Sequence, residues 1–202
     1  PVNAVMGNLK FDAVPEPKLL ATGQAWRNAL NAQPVVLLAI SREGEEAIFL
    51  QTLQQHPEYL QQAQWWIVPR HPQRFEEVAA LMQASGLPWQ RRSQWSAPQE
   101  AGLVLGDSLG EMPLYYGVAS VALLGGSFAP LGGQNLIEAC ACGCPVVMGP
   151  HTFNFAEAAL AAEAAGAAFR VTDMQAGLAR ALDLLNEPAA LQQAKSAALA
   201  FG

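Results

Sequence analysis

The chain has 202 residues, 51% of them hydrophobic and only 14% charged. An ordinary soluble domain carries about 25% charged residues, so intrinsic disorder is excluded and a substantial core is expected. Eleven Lys and Arg against 17 Asp and Glu give a net charge of −6, which argues against non-specific nucleic-acid binding.

Three clustered cysteines are too few for a disulfide framework, which makes a reducing compartment the default expectation. The chain begins at Pro1 and shows no basic region followed by an apolar one, so it reads as a fragment without a signal peptide. Residues 112–137 carry no formal charge and are long enough to cross a bilayer. Pro113, Pro130 and two Gly-Gly pairs interrupt them, so a membrane-spanning helix is rejected.

Along the chain, residues 1–18 read as a lead-in segment between domains and residues 19–202 as one domain. The continuous apolar run 35–40 (VVLLAI) predicts a buried parallel strand. Ser41 is placed to cap a following helix to about residue 55, with Glu43, Glu45 and Glu46 near its positive end. Residues 65–69 (WWIVP) predict a second strand, with Trp65 in the core and Trp66 at its rim, followed by a helix over 72–85. Short strands follow at 89–91 and 102–105. A short helix over 111–116 leads to a strand at 120–124. A helix over 135–142 leads to a strand at 145–148, and a helix over 155–165 to one at 168–171. Two helices, 174–185 and 189–200, end the chain. Strands alternating with helices imply an α/β fold: a doubly wound, Rossmann-like parallel sheet with helices on both faces.

Ligands of such sheets bind outside the carboxyl ends of the strands. Four loops there carry candidate residues. After the second strand come Pro69, Arg70, His71 and Pro72, and an arginine in that place can hold a phosphate through two bonds. After residue 105 come Gly106, Asp107, Ser108, Leu109, Gly110 and Glu111. Gly110 admits close backbone approach to a flat ligand, while Asp107 and Ser108 serve equally well as helix caps. The third loop runs from Gly125 and Gly126 to Gly132, Gly133, Gln134 and Asn135 at a predicted helix start. Its free N–H groups would suit an anion, although no Walker A or G-x-G-x-x-G pattern is present. Glu138 follows on the same helix face as Asn135. It is the one formal charge between Glu111 and Glu157, and a lone carboxylate in apolar surroundings is costly unless it binds something. It is placed to accept two ribose hydroxyls. The fourth loop carries His151, which either contacts a ligand or satisfies backbone under the glycine loop.

Cys140, Cys142 and Cys144 have no histidine or cysteine partner at zinc-site spacing, so they read as small residues packed between helix and sheet. No H-x-x-x-H or D-x-D pair supplies metal ligands, and no G-x-S-x-G elbow appears.

Six ordered strings carry a resemblance: GNLKFD (7–12), SREGEE (41–46), PRHPQRF (69–75), GDSLGE (106–111), GGSFAPLGGQNLIE (125–138) and GPHTFNF (149–155). Together they resemble the Kdo transferases, which move 3-deoxy-D-manno-octulosonic acid from CMP-Kdo to a lipid A precursor. The resemblance covers nearly the whole chain and implies the C-terminal, donor-binding half of a GT-B glycosyltransferase, inverting and metal-independent. It implies CMP contacts at Pro69 and Arg70, at Leu109, Gly110 and Glu111, and from Asn135 to Glu138, with Gly132, Gly133 and Gln134 in the loop before. It further implies no cofactor beyond the donor substrate CMP-Kdo. The catalytic base, the lipid acceptor surface and the membrane anchor would lie in an N-terminal domain, at the cytoplasmic face of a bacterial inner membrane. Many members carry His where this chain has Gln134. On the residues alone, half of a UDP-sugar enzyme or a non-catalytic nucleotide-binding module stays open.

Overall fold

The structure, a computed structural model, describes residues 14–30 and 33–202. The string at 7–12 and most of the lead-in segment lie outside the described residues. The first described element is a helix that sequence patterning does not announce, α1 (Pro17–Ala29). Its one fully buried residue is Gly23, and Leu19, Leu20 and Trp26 pack partly buried against the core beside it. At the glycine the backbones meet: a Cβ at Gly23 would lie 2.2 Å from the carbonyl oxygen of Leu114. Glu16 caps the helix by accepting the Leu19 N–H at 2.6 Å. Pro17 and Lys18, read as lead-in, are therefore helical.

The remaining elements follow the expected alternation. Strand β1 (Val35–Ser41) is followed by α2 (Glu45–Gln55) and a single turn, α3 (Tyr59–Gln62). Next come β2 (Gln64–Pro69), a 3-10 turn at Pro72–Arg74, α4 (Phe75–Ser85), β3 (Trp89–Arg91) and β4 (Leu103–Leu105). Then α5 (Met112–Val118), β5 (Ala119–Leu124), α6 (Leu136–Ala141) and β6 (Val146–Met148) form the centre of the second half. The chain ends with α7 (Ala156–Ala165), β7 (Ala168–Arg170), α8 (Met174–Asn186) and α9 (Pro188–Phe201). Ser41 does not cap α2. It closes β1, and its hydroxyl donates to Glu46 Oε1 at 2.7 Å, because Gly44 turns the chain into the helix.

The seven strands lie in the order β3-β4-β2-β1-β5-β6-β7, and every pairing is parallel. The chain runs from β1 through β2 to the edge strand β3, steps back to β4 between β3 and β2, then returns beside β1 with β5 and winds through β6 to β7 at the other edge. The strand order thus reverses between β1 and β5, and the switch point opens at their carboxyl ends. Apolar cores cover both faces of the sheet. Continuous apolar strands require this, since neither face of β1, β2 or β5 can meet water. Trp65 and Trp66 are both fully buried, so Trp66 belongs to the core and not to its rim. The indole of Trp66 donates to Gln64 Oε1 at 3.0 Å, which satisfies its one polar group.

The uncharged stretch 112–137 folds as α5, β5, a glycine loop and the start of α6. Among the described residues, no helix is long and apolar enough to cross a membrane. The three cysteines are buried and free. Burial pushes the thiols of Cys140 and Cys142 up to about 12 and that of Cys144 higher still, so they stay protonated and inert. Among the described residues, no group of three or more His, Cys, Asp or Glu side chains could hold a metal ion.

Candidate functional site

A cavity of about 610 Å³ opens at the switch point. Four strand ends supply its walls. Ile40 and Arg42 come from the end of β1 and Arg70 from the end of β2. Gly133, Gln134, Asn135 and Glu138 come from the segment after β5, and Asn154 and Phe155 from that after β6. Five of the sequence candidates thus meet here: Arg70, Gly133, Gln134, Asn135 and Glu138.

Arg70 is exposed, and its Nη1 donates to Gln134 Oε1 at 2.7 Å. Gln134 is buried, so this bond fixes the guanidinium while leaving its other donors for a ligand. Asn135 is the N-cap of α6; its Oδ1 accepts the Ile137 N–H at 3.0 Å. That bond occupies its side-chain acceptor in holding the helix start.

Glu138 sits one turn further on, and no hydrogen bond or ion pair among the described residues engages its carboxylate. Desolvation raises its pKa above the ordinary 4.5. A carboxyl group raised in this way favours the fold while protonated. That contribution is fully present below the ordinary value and is lost as pH rises through the raised one. Replacing Glu138 with Gln is therefore expected to stabilise the fold at pH 7, with the advantage shrinking toward pH 4. Urea unfolding at the two pH values measures it, and a variant less stable than wild type at pH 7 would show that the charge is satisfied.

The glycine loop departs from expectation. Three of its N–H groups are not free for an anion, because Glu45 occupies them. The buried Glu45 carboxylate accepts from Gly126 N at 2.9 Å and from Phe128 N and Ala129 N at 3.2 Å each. It also accepts from Arg42 N at 2.9 Å. The first part of the loop is thus moulded by an internal carboxylate from the start of α2, which takes those three donors. Gly132 and Gly133 both take positive φ, which turns the chain from this loop toward α6. Gly133 N donates to Gly126 O at 2.9 Å.

The remaining candidates do not line the cavity. Pro69 ends β2. Gly132 packs beneath Asn154 and Phe153. Leu109 is exposed, and Gly110 has open space where a Cβ would stand. Glu111 pairs with Arg92 Nη2 at 3.0 Å and accepts from Ser108 Oγ, a structural tie at the end of β4. Asp107 accepts from the N–H and hydroxyl of Ser93 at 2.9 and 2.7 Å, so it holds the turn after β3 and does not cap α5. The N–H of His151 donates to Ser127 O at 3.0 Å, tying its loop to the glycine loop.

Sequence reasoning missed Arg42, Glu45, Ile40, Asn154 and Phe155. Applying the carboxyl-end rule to β1 as well as to the later strands would have found Arg42. Glu45 is 81 to 84 residues from the glycine-loop N–H groups it holds, and nothing local signals that pairing.

No family model matches the sequence. The 3-deoxy-D-manno-octulosonic acid transferase of Bordetella pertussis is 52% identical over 98% of this chain, which covers 47% of that protein. The enzyme of the same name from Haemophilus influenzae is 36% identical over 76% of the chain and 36% of its own length. The chain thus spans about half, or less, of the curated relatives it matches. Among solved structures, the C-terminal CMP-Kdo binding domain of WaaA from Acinetobacter baumannii superposes with a TM-score of 0.84. It is 29% identical, and the match covers 92% of this chain and 98% of that one. The C-terminal domain of the Francisella tularensis glycosyltransferase LpcC shares the fold, at a TM-score of 0.60 and 12% identity over 96% of each chain. In sequence and fold the chain belongs to the 3-deoxy-D-manno-octulosonic acid transferase family.

Proposed function

We propose that this chain is the donor-binding half of a metal-independent, inverting glycosyltransferase that takes Kdo from CMP-Kdo and passes it to a lipid A precursor. The observation that carries the reading is the cavity at the switch point, lined by a guanidinium and an unpaired carboxylate beside a helix start. Arg70, held by Gln134, takes the CMP phosphate and stabilises the charge that develops as CMP departs. Glu138 accepts the two ribose hydroxyls, which offsets the cost of its half-buried charge. The backbone at Leu109, Gly110 and Glu111, at the neighbouring end of β4, reads the edge of cytosine. No cofactor enters the reaction. The base that activates the acceptor hydroxyl, the acceptor surface and the attachment to the cytoplasmic face of the inner membrane belong to an N-terminal half.

On this reading the chain binds CMP and transfers nothing by itself. Calorimetric titration with CMP, UMP and AMP tests it. Binding of CMP in preference to UMP, weakened at least tenfold in Glu138→Ala, is expected. Equal or tighter binding of UMP favours a UDP-sugar enzyme and overturns the reading.

A further inference from the structure

The donor-site reading leaves one charged group in the cavity without a task. Arg42 follows the last residue of β1 and lines the same cavity as Arg70 and Glu138. Its backbone N–H is committed to Glu45, which fixes the start of the side chain. Its Nε donates to Glu43 at 3.2 Å, a partner whose side chain is 55% exposed. Such an exposed pair holds weakly. Among the described residues, neither terminal nitrogen of Arg42 has a hydrogen-bond partner. Two parallel N–H donors on a rigid plane match a carboxylate in geometry as well as charge.

We propose that Arg42 is a specificity residue that holds a carboxylate on the sugar, separately from the phosphate held by Arg70. The inference rests on the donor-site reading and extends it. A nucleoside monophosphate linked to a sugar acid carries two anionic groups, and this cavity offers two guanidinium groups from adjacent strands. The same cavity would leave Arg42 unpaired opposite a neutral sugar, and an unmatched charged group in a binding site is a penalty.

The test compares affinities for CMP and for freshly prepared CMP-Kdo, in wild type and in Arg42→Gln. Wild type is expected to bind CMP-Kdo about 10- to 100-fold more tightly than CMP, the range of one charge-assisted bidentate contact. In Arg42→Gln that ratio is expected to fall to about twofold or less, with partial recovery in Arg42→Lys. A wild-type ratio near one overturns the inference, as does an unchanged ratio in the variant or an equal loss for both ligands. Absence of CMP binding by wild type overturns the donor-site reading itself, and this inference with it.

Discussion

Replacing Glu45 with Ala is expected to cost about 3 kcal/mol of stability, since a buried charged acceptor is removed from several backbone donors at once. Four N–H groups, those of Arg42, Gly126, Phe128 and Ala129, lose their acceptor together. The Gly126 bond is buried and the other three are partly so, which keeps the loss below a full penalty for each. For a chain of this size the fall in Tm is roughly 6–12 °C. Burial raises the Glu45 pKa, and its four N–H bonds oppose that shift without cancelling it. The carboxylate is a buried internal plug held by backbone N–H groups. The glycine loop adopts its shape because the plug is present, and the wall of the cavity at Gly133 follows from that shape. Urea unfolding checks the magnitude. A loss below about 1 kcal/mol would mean that water replaces the carboxylate readily, and that Glu45 does not mould the loop.

Gly125→Ala is the second large effect. At the end of β5 the backbone passes so close to β1 that a Cβ would stand 2.0 Å from the carbonyl oxygen of Ile40 and 2.6 Å from that of Ala39. Both obstacles are backbone, so no side-chain rotation relieves them. Gly125 N also donates to Ala39 O at 2.8 Å, a bond that any separation of the strands would break. Ile40 itself takes φ of +56°, an unfavourable conformation for a β-branched residue. It sits where the register between β1 and β2 shifts. The strain is thus concentrated beside the cavity, where a further push is poorly tolerated. A cost of about 3 kcal/mol is expected, the upper end for overpacking. A chemical melt within 1 kcal/mol of wild type would show that the β1–β5 junction yields more easily than its geometry implies.

Much of this architecture is legible in the amino-acid order, for identifiable reasons. The runs at 35–40, 65–69 and 120–124 are apolar without interruption because β1, β2 and β5 are covered on both faces. Such runs announce a parallel sheet directly. The three-residue strands β4, β6 and β7 are legible through the loops that bracket them. Helix α1 is harder to read, because Gly23 stands at the centre of its buried face and interrupts the apolar row of Leu19, Leu20 and Trp26. Within the site, Arg70 and Glu138 emerge from the carboxyl-end rule and from the cost of a lone charge. The role of Glu45 does not, since three of its four partners lie across a sheet crossover. The glycine loop illustrates the difference. Its composition suggests free N–H groups, and only the tertiary fold reveals the internal carboxylate that uses three of them.

The donor-site assignment is tested most directly by following the CMP titration through backbone amide shifts of the labelled chain. The expected shifts cluster at Arg70, from Leu109 to Glu111 and from Gly133 to Glu138, around the cavity and the ends of β1, β2, β4 and β5. Shifts confined to other surfaces, or no shift at millimolar CMP, would contradict the placement of the nucleotide in that cavity.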